Sequence, residues 1–263
     1  SGSAEAAAKS GIASAVCDDD KAAIEKARDL VNILPVNNLA PVPMFEFAEN
    51  SPVSGTDLKS IINSAADADS EIEISAEFGN ASYTGFVTIG GATAGIAAAG
   101  KEGSKLNSDD CAKLARFMRT CDAFSIPVVT FVNSEGFEDA DAVSSIKAMT
   151  TLANSYSEAT TVKIAVVTGK AVGPVFAAVA GNSSNSDFTY AYPDAVIAPV
   201  SSAAAVEFMW HDKLKGTDNL ESARNELISE YEKTLASAET AAENNFIDDI
   251  IDPSQTRNVL VSA

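Results

Sequence analysis

Apolar residues in this chain follow two different rhythms, and the alternation between them sets out the fold. Over residues 19–34, Ala23, Ile24, Ala27, Leu30, Val31 and Leu34 recur at helical spacing, Asp19 or Asp20 is placed to cap the start, and Pro35 ends the run. Ser108 opens a second amphipathic helix, with Cys111, Leu114, Ala115, Met118 and Cys121 on one face. A short helix that Thr56 can cap carries Leu58, Ile61 and Ile62. Further helices are predicted over 141–156, 174–181, 202–211, 219–243 and 254–261.

Between the helices the period changes. Glu71–Phe78, Ser82–Ile89 and Thr93–Ala99 read as strands, the last two joined by Gly90-Gly91, a hairpin signal. Ile126–Val132 and Val162–Thr168 are continuously apolar, as in strands covered on both faces. Phe188–Tyr192 and Val196–Ala198 add two short strands. Buried strands alternating with helices argue for an α/β fold with a largely parallel sheet. Pro35 to Gly55, with four prolines and the tandem Asn37-Asn38, reads as a linker and a candidate domain boundary.

Composition removes several function classes. Among 263 residues, 37 are acidic and 18 basic, a formal net charge of −19, which suits neither nucleic acid nor an anionic membrane surface. The single histidine, His211, excludes multi-histidine metal sites, and no G-x-S-x-G elbow accompanies it. Cys17, Cys111 and Cys121 lack CxxC spacing, so neither a disulfide framework nor a zinc site is expected; Cys111 and Cys121 read as buried structural thiols. No apolar run reaches 18 residues and no signal peptide is visible, so cytoplasmic residence is the expectation. The start at Ser1-Gly2-Ser3, without methionine, suits a processed chain or a fragment of a longer one.

Candidate chemistry lies at two strand ends. Gly169-Lys170-Ala171-Val172-Gly173-Pro174-Val175-Phe176 is expected to turn tightly after Thr168 and start a helix. Free backbone amides at such a turn, with the positive end of the helix dipole, suit an oxyanion. Pro174 fits the first helical position but has no N–H to give. The alternative is that Gly173-Pro174 merely starts a helix. The second candidate, Asn133-Ser134-Glu135-Gly136-Phe137, ends a buried strand, where open α/β sheets place ligands; it also reads as a plain loop. Glu138/Asp139/Asp141 and Asp248/Asp249/Asp252 look like solvated faces or caps, and Phe117-Met118 and Phe208-Met209-Trp210 look like core. A hydratase or isomerase would need an acidic or basic side chain in the cleft, for which Glu135 is the best offer.

At these residues the chain resembles the carboxyltransferase family of biotin-dependent acyl-CoA carboxylases and decarboxylases. The blocks that carry the resemblance include Leu34-Pro35-Val36-Asn37-Asn38, Tyr83-Thr84-Gly85-Phe86, Arg116-Phe117-Met118-Arg119, Ile126-Pro127-Val128, Gly169-Lys170-Ala171, Tyr190-Ala191-Tyr192-Pro193-Asp194-Ala195 and Ile247-Asp248-Asp249-Ile250-Ile251-Asp252-Pro253 with Thr256-Arg257. The resemblance implies a crotonase-like spiral of ββα units and one half, the biotin-side C-terminal one, of a two-half carboxyltransferase. Residues 1–38 would be the tail of the N-terminal half, 39–55 a linker, and 56–263 the C-terminal domain. It further implies a CoA-thioester substrate, biotin on a partner carboxyl carrier protein, no metal, and a homo-oligomer, because half a spiral leaves a face uncovered. Carried over residue by residue, the backbone donors are Gly173 and Val175, and Gly136 and Phe137 contact biotin. Two departures fall at these places: Gly173-Pro174-Val175 stands where the family reads Gly-Gly-Ala or Gly-Ser-Ala, and Glu135 replaces the proline of Pro-Gly-Phe. They leave open a binding or scaffold half that transfers nothing.

Overall fold

The computed structural model describes residues 2–50, 55–138, 142–215 and 219–263. Residues 51–54 of the linker, with Asp139 and Asp141, lie outside the described residues. In chain order the elements begin with α1 (Ala4–Lys9), α2 (Asp20–Ile33), α3 (Leu58–Ala65), β1 (Ile72–Glu73), β2 (Ser82–Ile89) and β3 (Ala92–Gly103). Next come α4 (Ser108–Ala123), β4 (Val128–Ser134), α5 (Val143–Glu158), β5 (Lys163–Val172), α6 (Pro174–Val179), β6 (Phe188–Ala191) and β7 (Val196–Ala198). The last are α7 (Ser202–Met209), α8 (Leu220–Thr234), α9 (Ala238–Glu243), β8 (Asp249–Ile250) and α10 (Thr256–Ser262).

Among the described residues one sheet runs β1-β2-β3-β4-β5-β6-β8, with β7 also paired to β5. β1–β2 and β2–β3 are antiparallel and the remaining pairs parallel. Gly90 and Gly91 both adopt positive φ, 60° and 82°, which the two-residue β2–β3 hairpin requires. Alternate residues of the central strands feed two cores. Ala97, Val128, Val132, Ala165 and Val167 pack with Leu114, Met118 and Leu152 of α4 and α5. Ile96, Val129, Phe131, Ile164 and Val166 pack with Ile61 and Ile62 of α3 and Leu260 of α10. Burial on both faces explains the unbroken apolar runs.

Several expectations shift. The strand expected over 71–78 shrinks to Ile72–Glu73, because Ser75 turns with φ 56° and its N–H goes to Ser14 O at 2.7 Å. Asp57, not Thr56, caps α3, accepting from Ser60 N at 3.1 Å. The helix expected over 219–243 breaks into α8 and α9. There Ala236 O accepts from Ile197 N of β7 at 2.8 Å, and Ser237 caps the second piece. Phe117, Met118, Cys111 and Cys121 are core, as expected. Phe208 and Met209 are not: they are exposed, since α7 turns Ala205 and Val206 inward instead, and Trp210 is only partly buried against that cluster.

The linker segment follows the hairpin closely. Phe45 N donates to Gly91 O at 2.8 Å and Met44 bridges Ala92. Asp67 fastens this corner. Its carboxylate accepts from Gly90 N (3.0 Å) and Gly91 N (2.8 Å) and pairs with Arg257 of α10.

Candidate functional site

The two segments singled out in the sequence meet at the ends of β4 and β5. Their parallel register runs from Val128↔Lys163 to Val132↔Val167, then jumps to Ser134↔Ala171. β3 makes the matching jump on the other side, from Ala99↔Val132 to Gly103↔Ser134. Asn133 fills the resulting bulge. Its Oδ1 accepts from Lys170 N at 3.0 Å. A Cβ on Gly169 would lie 2.4 Å from that Oδ1, and one on Gly100 only 2.1 Å from the Asn133 carbonyl oxygen. Backbone contact holds position 100 to glycine, a side chain at 169 would displace the Asn133 amide from Lys170 N, and the bulge re-aims the strand ends.

Gly169–Val172 is therefore strand, and the turn expected after Thr168 begins at Gly173. Gly173 adopts φ 64°, ψ −139°, open only to glycine, and Pro174 takes the first position of α6. The Gly173 N–H, expected to be free, donates to Ala198 O of β7 at 2.7 Å. Pro174 has none. No carbonyl within α6 reaches the Val175 and Phe176 amides, and no side chain caps the helix. Val175 is buried; Phe176 is half-buried.

Gly136 approaches this turn: a Cβ there would lie 3.8 Å from Val172 O. Ser134 Oγ fixes the loop, 2.8 Å from Ser104 O and 3.0 Å from Gly136 O, while accepting from Gly136 N at 3.2 Å. The Phe137 ring belongs to the main core at 6% exposure, and its backbone bridges Leu106. Any contact of Gly136 and Phe137 with a ligand is thus a backbone contact; Glu135, between bend and solvent, is the exposed side chain of this loop.

Beside the turn lies a cleft of about 190 Å³. Glu135, Lys170 and Glu232 line it with Ser201 and Ser202; Val172, Ala203 and Ile228 form its apolar wall. Lys170 Nζ is 2.8 Å from Glu135 Oε1. That hydrogen bond holds the Lys170 ammonium above the ordinary lysine range. Ser202 Oγ donates to Glu232 Oε1 at 2.8 Å. Glu135 is paired with a cation rather than standing alone as a base. No local pattern points to Ser202 or Glu232, which arrive from helices 30 or more residues downstream of β5. Larger hollows of about 530–600 Å³ flank Asn50, Asp67 and Arg257, but none of them takes in a residue from the ends of β4 or β5. Among the described residues no group of three His, Cys, Asp or Glu is placed to hold a metal.

Residues 1–263 match the carboxyl transferase domain family from end to end. The chain is 31% identical over 272 residues to a propionyl-CoA carboxylase carboxyltransferase subunit of Haloferax mediterranei, covering 96% of this chain and 53% of that one. It is 29% identical to methylmalonyl-CoA decarboxylase subunit alpha of Propionigenium modestum, over 97% of this chain and 53% of the other. Among solved structures, transcarboxylase 12S, captured as a hexamer with methylmalonyl-coenzyme A and methylmalonic acid, superposes with a TM-score of 0.88 at 29% identity. That match covers 99% of this chain and 54% of that one. The β subunit of geranyl-CoA carboxylase from P. aeruginosa shares the fold at a TM-score of 0.70 and 22% identity. The chain spans about half the length of the relatives it matches. Its fold is the crotonase-like α/β spiral of these carboxyltransferases, and the chain belongs to the carboxyl transferase domain family.

Proposed function

We propose that the chain serves as the biotin-side half of a biotin-dependent acyl-CoA carboxyltransferase. In this reading 1–38 is the tail of the preceding half, 39–55 a linker and 56–263 the C-terminal domain. The observation that carries the reading is the whole-chain superposition on transcarboxylase 12S, a protein seen with methylmalonyl-coenzyme A. Biotin, borne on a partner carrier protein, supplies the carboxylate from a ring nitrogen, and the acyl-CoA accepts or gives it at the carbon next to the thioester. The residues present fit that ligand: a cleft of about 190 Å³ lined by Glu135, Lys170, Ser202 and Glu232 reaches Val172, and α6, which starts two residues on, has amides at Val175 and Phe176 that no side chain caps. Their role is to donate to the ureido oxygen as it gains negative charge, without reorganising. Gly136 and Phe137 are assigned a backbone contact with biotin. The complex is a homo-oligomer in the cytoplasm; no described helix is long and apolar enough to cross a membrane.

A second reading, a scaffold half that assembles but transfers nothing, draws on one observation. The Gly173 amide is engaged by Ala198 O, and Pro174 has no N–H, so the turn has fewer donors than the family pattern supplies. Reconstitution separates the two. The chain, assembled with the missing half and a biotinylated carrier, is assayed for acyl-CoA-dependent loss of carboxylate from carboxybiotin. Turnover supports transfer, and Pro174→Gly is expected to raise kcat by about 10²-fold, the usual worth of one such donor. Normal assembly with no turnover selects the scaffold.

A further inference from the structure

We infer that Lys170 and Glu135 form a specificity-determining pair that reads a cyclic urea in the cleft at the ends of β4 and β5. The inference rests on the proposed function and assigns the recognition of biotin's head group to side chains rather than to the backbone alone.

The cleft's polar inventory is unusual for its size. Lys170 carries three N–H donors, of which one goes to Glu135 Oε1 at 2.8 Å. No other partner of Lys170 Nζ, and none of Glu135 Oε2, occurs among the described residues. Glu232, across the same cleft, uses Oε1 to hold the Ser202 hydroxyl. Donors and acceptors with free capacity thus line the same cleft as Val172, Ala203 and Ile228.

Charge decides what fits. The Lys170–Glu135 pair is neutral as a unit and Glu232 adds one negative charge, so a small anion is disfavoured. A cation would gain from that negative charge but would leave the Lys170 donors unused. A neutral ring with a carbonyl flanked by N–H groups satisfies both partners: the carbonyl accepts from Lys170, an N–H donates to Glu135, and the hydrocarbon edge meets the apolar wall. Both side chains are well exposed, 40% for Lys170 and 49% for Glu135. An ion pair in that setting adds little to folding, and both partners are open to a ligand. Glu135 is also the residue at which the loop departs from the family's proline, so this reading belongs to this chain and not to the family pattern.

The test is a titration of the isotope-labelled 263-residue chain, followed by NMR, with biotin, 2-imidazolidinone (the bare cyclic urea), cyclopentanone (the same shape without N–H groups) and acetate. Biotin and 2-imidazolidinone are expected to saturate and to shift the amides around Lys170 and Glu135. Cyclopentanone is expected to bind at least about tenfold more weakly, the worth of a hydrogen bond to a charged group. Acetate should not compete. Glu135→Gln should narrow the urea-to-ketone ratio, and Lys170→Met should weaken both ligands about tenfold; amide spectra away from the cleft verify that each variant is folded. Equal binding of urea and ketone, no saturable binding by the parent, or folded variants that bind as the parent does would each overturn the inference. Indifference to the urea in a chain whose reconstituted complex still transfers carboxylate would sink this inference alone. Urea selectivity without transfer would sink the proposed function alone.

Discussion

Lys113 gives a quantitative handle on the fold. It lies on α4 at 1% exposure, with Nζ 2.9 Å from Ser82 O and 3.3 Å from Gly79 O and no carboxylate in ion-pair contact among the described residues. Burial, followed by the Lys101 charge, pushes its pKa down to about 8, against the opposing pull of Glu73 and Asp110; Arg116 pushes the same way as Lys101. In the unfolded chain the group titrates near 10.5. Between these values the unfolded state binds more protons than the folded one, so the penalty for the buried charge is present at neutral pH and relieved as pH rises. Linkage then gives a gain of about 2 kcal/mol from this residue between pH 7 and 9.5. Cys111 works in the opposite direction. Burial raises its thiol to about 12, so the folded state keeps a proton that the unfolded state loses above pH 9. Because that effect is common to parent and variant, the assay is the difference between parent and Lys113→Met in urea unfolding free energy at pH 7, 8, 9 and 9.5. The parent should gain on the variant by about 2 kcal/mol over that range. A difference that stays flat, or that moves the other way, would refute the assignment of a buried charged lysine.

Three further perturbations probe the architecture. Asn133→Ala leaves Lys170 N without its acceptor and opens a gap against Gly169, so stability should fall by about 1–3 kcal/mol. Hydrogen exchange at Lys170 should quicken, and an unchanged rate would show that the plug does not hold the bulge. Gly173→Ala places a side chain at φ 64°, ψ −139°, where strain of about 1–3 kcal/mol is expected, visible as a lower Tm; an unaltered Tm would mean that the backbone there relaxes freely. Asp67→Asn puts an amide where a buried carboxylate serves Gly90, Gly91 and Arg257, and a loss of about 3–5 kcal/mol is expected in urea midpoints. A loss under about 1 kcal/mol would show that Ala65 O and Glu49 satisfy Arg257 without it.

The parts of this fold that local chemistry controls are legible in the chain. Asp19 and Pro35 bracket α2, paired glycines turn the β2–β3 hairpin, and apolar runs mark the doubly covered β4 and β5. What local chemistry could not announce is where a distant group completes or consumes a backbone bond. Gly169 reads as a turn because glycine usually makes one; it is strand because Asn133, 36 positions earlier, occupies the space a Cβ would need and accepts from Lys170 N. The α8–α9 break has the same origin in a bond from Ile197 N to Ala236 O. At the site the same logic changes the chemistry. Gly173 offers an amide in the sequence, yet β7 takes it, and Pro174 removes the next. A turn so reduced leaves Val175 and Phe176 as its donors, while the neighbouring cleft gains a lysine and two carboxylates that no local pattern in the chain announced as a group. In the proposed reading, recognition at these strand ends moves from the main chain toward side chains, with Glu135, the loop's departure from the family's proline, as the hydrogen-bond partner of Lys170.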